Sequence, residues 1–312
     1  MHFPISLPKD RKFNVTGFGT NAVDFLIQVP NYPAFNSKVE LLTYTRAPGG
    51  EVATTLAGLS RLGFRTSYVG RFGDDDAGHL GLESLTKEGV DVSAAEQIKG
   101  AKTQIAFIII DERTGERTVI WQRDEKLGYR EDEVDPALAE DCQVLHFTPH
   151  DTSACIRLAQ AARNTGTVVS IDIDRTFEGV DRLLPLVDVL IASSDFARSY
   201  TGVNDERESL AALAQNAGSA VAGVTLGERG SLLYVKGDFI LTPGFPVPGG
   251  CKDTTGAGDS FRTGLLAGIL KGESLKESAR MGNAVAALKC RAVGARTSLP
   301  TPEELDAILK KM

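Results

Sequence analysis

The sequence predicts an α/β fold, with a mainly parallel central sheet covered by helices on both faces. Three observations carry that prediction. Apolar, β-branched runs alternate with stretches of helical periodicity, the pattern of strand–helix crossovers. Two stretches break the alternation and read as additional strands. The composition supplies a substantial core: of 312 residues, 42% are hydrophobic and 24% charged, which bounds one large or two modest domains and argues against disorder.

In chain order, the first strand falls at Asn14–Gly17. The segment from Gly17 to Asp24 ends it and carries a Gly-x-Gly. Pro30 and Pro33 follow where a dinucleotide-binding helix would have to run, so a dehydrogenase is excluded. Pro48, Gly49 and Gly50 open a helix over Val52–Leu62, in which Val52, Leu56, Leu59 and Leu62 recur at helical spacing. A strand at Thr66–Val69 and a helix at Ala77–Glu88 come next. The second half repeats the unit: strand Val144–Phe147, helix Thr152–Thr165, strands Val168–Asp172 and Val189–Ala192, helix Arg207–Ala217, strands Val221–Thr225 and Ser231–Val235. Helices at Ala257–Leu270 and Ser274–Cys290 follow. A last helix is marked by Thr301 as cap, Pro302 at its first position and Glu304 completing a capping box.

The two breaks are 28–46, with prolines around the apolar segment Val39–Tyr44, and 104–122, a hairpin of Ile105–Ile110 and Arg117–Trp121 about a turn at Arg113–Glu116. On pattern alone, a separate small sheet and edge strands of the main sheet fit equally.

A net charge of −7 argues against nucleic acid or an anionic membrane as the main partner, but a local cradle can still take an anion. Cys142, Cys155, Cys251 and Cys290 have neither zinc nor disulfide spacing and read as reduced thiols, with Cys251 near the turn described next. The N-terminus has no apolar signal core, and no run is long enough to span a membrane, so a cytoplasmic protein is expected.

Most of the chemistry lies in residues 253–264. Asp253, Thr254 and Thr255 lead into Gly256, Ala257 and Gly258, and the helix carrying Phe261, Leu265, Leu266, Ile269 and Leu270 starts there. A helix start leaves N–H groups unpaired and carries the positive end of the dipole. With little or no side chain at 256–258, an anion can approach those groups closely. Asp259 follows at once. An anion cradle beside a carboxylate is what a kinase needs; the plainer alternative is a tight turn with Asp259 as an N-cap.

The run Asp-Thr-Thr-Gly-Ala-Gly-Asp-Ser-Phe over residues 253–261 matches in full the C-terminal signature of the PfkB, or ribokinase-like, carbohydrate kinase family, which the chain resembles. The Gly49–Gly50 opening of the first helix, the Arg61-Leu62-Gly63 segment and the stretch from Val69 to Gly78 match further family segments in order and spacing, so the resemblance covers most of the chain. It implies a three-layer ribokinase-like sandwich, a single domain 1–312, with a small β lid built from 28–46 and 104–122. It implies transfer of the γ-phosphoryl group of ATP, with Mg²⁺, to a hydroxyl of a small sugar or sugar acid. Asp259 is then the base, with Gly256, Ala257 and Gly258 holding the transferred group. Thr225, Gly227, Gly230, Thr255 and Asn283 line the nucleotide site, Asn283 having a solvated helix position as its alternative. Asp24, Gly49, Gly50, Thr54 and Asp259 meet the acceptor. Asp253, Thr255, Val293, Gly294 and Ser298 mark the place of a monovalent cation, K⁺. An exposed lid edge suggests a homodimer.

The chain departs from the family pattern at two places. Thr54 stands where relatives carry an Asn that contacts the sugar, which leaves Glu51 or a water to fill in. Ser193, Ser194, Asp195 and Phe196 replace an Asn-x-x-Glu linked to magnesium, so either Asp195 serves or the phosphates hold the ion. Two other functions remain open. A nucleoside kinase would draw an aromatic pocket from Phe18, Tyr44, Phe107 and Trp121. A catalytically silent binding protein would not need the intact Asp259. Arg123, after the hairpin, is either an anion contact or a solvated side chain.

Overall fold

A computed structural model describes residues 1–311. Thirteen strands and nine α-helices alternate along them. The strands are β1 (Phe13–Phe18), β2 (Ala22–Val29), β3 (Thr43–Gly49), β4 (Thr66–Gly73), β5 (Ala95–Ile98), β6 (Ile105–Asp111), β7 (Arg117–Gln122), β8 (Cys142–Phe147), β9 (Val168–Ile173), β10 (Val189–Ser193), β11 (Val221–Thr225), β12 (Ser231–Val235) and β13 (Asp238–Thr242). The helices are α1 (Glu51–Arg61), α2 (Asp76–Lys87), α3 (Thr152–Thr165), α4 (Val180–Leu183), α5 (Ser194–Thr201), α6 (Glu206–Ala217), α7 (Ala257–Leu270), α8 (Leu275–Lys289) and α9 (Pro302–Leu309).

Nine strands form one sheet in the order β13-β12-β11-β10-β9-β8-β1-β4-β5, parallel from β11 to β5 and closed at one edge by the antiparallel β12 and β13. Parallel strands need crossovers, and the helices that supply them cover both faces. Every residue of β9 is buried. On one face Leu158, Phe196, Leu210 and Leu213 of α3, α5 and α6 pack on Val169, Ile171 and Leu190. On the other, Leu56, Phe261, Leu265 and Val285 of α1, α7 and α8 pack on Val15, Val144 and Ile191.

Four strands form a second sheet, β3-β2-β6-β7, which is the separate small sheet and not an edge of the large one. Its inner face buries Leu26, Ala106, Ile108 and Ile110. The hairpin of β6 and β7 lies as the sequence predicts. The other half does not: β2 begins at Ala22, upstream of the predicted segment, and β3 starts at Thr43, so most of Val39–Tyr44 is loop. Asp24 sits mid-strand at a buried position, which hides β2 from a hydrophobic count, and β3 is too exposed and polar to show a period. Among the described residues no helix is long and apolar enough to cross a membrane.

Candidate active site

The C-terminal ends of β9, β10 and β11, the start of α7 and the inner face of the small sheet enclose a cavity of about 1280 Å³. Openings of this kind, outside the carboxyl ends of parallel strands, are where α/β folds bind ligands.

At its floor Gly256 takes φ 77°, a left-handed conformation, and caps α7 without a side-chain bond. A Cβ there would lie 2.9 Å from Ala295 Cβ, so only glycine fits. The Ala257 N–H is donated to the Thr254 carbonyl at 3.1 Å. Among the described residues, Gly256 and Gly258 have no such acceptor, so they and the helix dipole present the free positive end.

Asp259 follows in the first turn and lines the cavity. Burial pushes its carboxyl up to about 7, the neighbouring Glu51 carboxylate adds to that, and Arg262 opposes it. Arg262 is held by Asp172 at 2.5 Å and by the Ile191 carbonyl at 2.9 Å, both nearly out of solvent. Asp172 itself is pushed well up by burial against that ion pair. A base and a fixed cation thus share one turn of α7.

Asp24, on β2, faces the same cavity. A Cβ at Gly49 would run into its carboxylate and one at Gly50, where φ is 91°, into the Asn21 backbone, so the two glycines let β3 and α1 close around it. Burial pushes Asp24 up to about 7, with Arg296 pulling it down and Glu51 adding to the rise. Glu51 lines the cavity and accepts a hydrogen bond from the Thr20 hydroxyl.

Thr54 does not line the cavity. It is fully buried, and its hydroxyl accepts from Arg296 Nε at 3.5 Å. Arg296 also donates to Asn21 Oδ1 at 3.1 Å, to Ser84 Oγ at 2.7 Å and to the Gly49 carbonyl, tying α1, α2 and β3 together. The Gly-Ala-Arg-Thr-Ser stretch around it gives no sequence signal of that role.

Thr225, Gly227, Gly230, Thr255 and Asn283 line the far end of the cavity. Asn283 is not solvated: it is 5% exposed and donates to the Thr242 and Pro243 carbonyls at 3.0 and 3.1 Å. Cys251 and Cys290 also reach this wall.

Below the turn lies Asp253, with no exposure. Its Oδ1 accepts the Thr255 N–H at 2.8 Å and its Oδ2 the Gly294 N–H at 2.7 Å. The Ser298 hydroxyl donates to the Lys289 carbonyl at 2.5 Å. Val293 packs near Leu26 under the small sheet. Lys289, equally buried, places Nζ 2.7 Å from the Asp253 carbonyl. Burial lowers the ammonium's proton affinity and Asp253 opposes that shift.

Several other residues lie elsewhere than the sequence suggests. Asp195 is exposed, pairs with Arg198 and does not reach the cavity. Arg123 is neither solvated nor free, since Asp151 holds it at 2.9 and 2.7 Å. Phe18 is core, and Tyr44 and Phe107 lie on the outer face of the small sheet, so of the four aromatics only Trp121 lines the cavity. The cations at the wall, Arg117 and Arg175, escaped sequence reading. Arg117 donates to Thr254 Oγ1 at 3.1 Å, and Arg175 lies over Trp121 and Phe177.

The family model of the pfkB family carbohydrate kinases matches residues 14–302. The chain belongs to the pfkB family. Fructokinase-2 of Oryza sativa subsp. japonica is 28% identical over 324 residues, covering 95% of this chain and 94% of its own. The ribokinase of Haemophilus influenzae is 27% identical over 300 residues, with 93% and 96% covered. The fold is shared with Arabidopsis thaliana ribokinase complexed with ribose and ATP, at TM-score 0.80 and 24% identity over 96% of this chain and 99% of that one. The chain thus has the ribokinase-like fold, a large mostly parallel sheet flanked by helices with a small second sheet.

Proposed function

We propose that the protein transfers the γ-phosphoryl group of ATP to a hydroxyl of a small sugar or sugar acid. One observation carries this reading: Asp259 and the free N–H groups of Gly256 and Gly258 face the same cavity as the hydroxyl-reading pair Asp24 and Glu51. A carboxylate pair suits a polyol, because each oxygen accepts from neighbouring hydroxyls.

Asp259 accepts the acceptor's hydroxyl proton as the oxygen–phosphorus bond forms and the bond to the ADP oxygen breaks. The transition state is loose, so the proton leaves late and a weak base serves. The Gly256 and Gly258 N–H groups, backed by the α7 dipole, hold the charge on the transferred oxygens. Arg117 and Arg262 add positive charge at the wall. Thr225, Gly227, Gly230, Thr255 and Asn283 shape the nucleotide end, where a Cβ at Gly230 would strike the Thr242 carbonyl. Mg²⁺, when bound with the nucleotide, would supply positive charge against the phosphates. Asp174, one of the carboxylates lining this wall, would hold it directly or through water.

Trp121, Phe177 and Arg175 give the acceptor end one stacked cation in place of an aromatic sandwich, which favours sugars and sugar acids over nucleosides. An ATP-consumption screen over sugars, sugar acids and nucleosides tests the reading. Stimulation by a sugar or sugar acid above every nucleoside is expected, and a nucleoside that beats them all defeats it. We further propose that two copies pair through their lids.

A further inference from the structure

We infer that the Lys289 ammonium stands in for the monovalent cation at the place the family resemblance marks, so that this chain needs no K⁺. The aspartate of that place is already engaged. Asp253 offers no idle oxygen: both carboxylate oxygens accept backbone N–H groups, from Thr255 and Gly294, and its carbonyl accepts from Lys289 Nζ at 2.7 Å. The same ammonium lies 3.7 Å from Asp253 Oδ2, with neither side chain exposed. A K⁺ ion at that carbonyl would displace the ammonium or sit against it, like charge on like charge in a dry site.

The ammonium is a built part. Burying it costs stability unless a counter-charge and acceptors are supplied, and Asp253 supplies both. Lys289 is the last residue of α8, and its carbonyl takes the Ser298 hydroxyl at 2.5 Å, so the side chain's origin is fixed as firmly as its tip. Asp253 in turn begins the segment in which Gly256 and Gly258 present the free N–H groups of the anion turn. Lys289 is therefore a positioning residue: a covalently tethered cation that holds the turn from below and places one fixed positive charge behind it. Among the sequence positions marked for the cation, none announced this, because a Lys near a helix C-terminus is usually a solvated partner of the helix dipole.

The inference uses the kinase reading only for its activity arm. The ligand-free wild-type protein, exchanged into choline chloride, is melted against equal ionic strengths of KCl and NaCl. Melting temperatures that do not depend on the cation are expected, and a K⁺-specific rise overturns the inference whether or not the protein is a kinase. Lys289→Ala, and Lys289→Met to keep the chain's volume, are then melted in the same salts, with and without Mg-ATP. Either variant should melt lower in choline and be rescued by KCl or NH₄Cl, as binding to the folded state alone requires. With an active acceptor, the kcat of the variant should drop roughly tenfold or more in choline and recover in K⁺, while the wild type stays level. Equal deficits of a variant in choline and K⁺ mean a merely structural lysine and overturn it. The wild-type comparison decides the matter even if both variants fail to fold.

Discussion

Asp259 and Asp24 are two carboxyls moved by the same cause. Each has lost water to a closed wall, each feels Glu51, and each ends at about 7, opposed by Arg262 for Asp259 and by Arg296 for Asp24. For Asp259 this sets a pH dependence. Below about 7 the free enzyme carries it protonated and unable to accept a proton, and above it the base is ready. The kcat/KM profile should therefore fall on its acid side with an apparent pKa near 7 rather than near 4, since that ratio reports the free enzyme. Asp259→Asn should lower kcat by roughly a hundredfold or more and erase that limb, because Asn keeps the shape without the base. Nucleotide affinity, read as the Mg-ATP melting shift, should hold or improve as a negative charge near the phosphates is removed. A variant that melts like the wild type and keeps most of its kcat would reduce Asp259 to an N-cap. The motif around Asp259 was legible in the sequence, but its partner Asp172 was not. The two meet only because the C-terminal end of β9 and the start of α7 lie at one side of the sheet, which no local spacing records.

The lid shows where element-level reading works and where it fails. β6 and β7 were legible because their apolar runs flank a turn, Arg113–Glu116, that closes on itself through the Gly115 N–H and the Asp111 carbonyl at 2.8 Å. β2 and β3 were not, because one carries a buried carboxylate and the other is mostly exposed. The hairpin tip is also tied to the anion turn, with the Thr254 N–H donating to the Gly115 carbonyl at 3.0 Å. The lid's outer face stacks Phe25 on Phe107 at 4.9 Å and beside Tyr44 at 6.2 Å, with Phe107 and Ile120 exposed. Contiguous apolar area of this sort is what a second copy covers. Light scattering should give a dimer, and Phe107→Asp, on the outer face and away from the cavity, should give a folded monomer. A wild-type monomer across the micromolar range would remove lid pairing.

At the scale of the whole molecule, the alternation of strands and helices was readable because buried parallel strands and their crossovers leave periodic traces. The charge arrangement at the cavity was not readable, because it gathers Asp24, Glu51, Asp172 and Asp259 from four separate segments. That arrangement costs folding energy in a definite pH window. Asp24 and Asp259 have an ordinary value of 3.8 and a folded value of about 7, so between those limits the folded state binds more protons than the unfolded one. Stability from these groups is full below the unfolded value and is lost as pH rises through the folded value. His146 and His150, lowered chiefly by burial, work in the other direction below their ordinary 6.5, so the raw melting curve mixes the two. A difference between proteins isolates the carboxyls. Asn at 24 or 259 is neutral at every pH, like the protonated carboxyl it replaces. The melting temperature of Asp24→Asn or Asp259→Asn minus that of the wild type should therefore be small near pH 4, climb between pH 4 and pH 7 and level off above. At pH 8 each variant should be the more stable protein by several degrees. A difference that stays flat from pH 5 to 8, or that favours the wild type at pH 8, would mean that neither carboxyl is held in the uncharged form by its site.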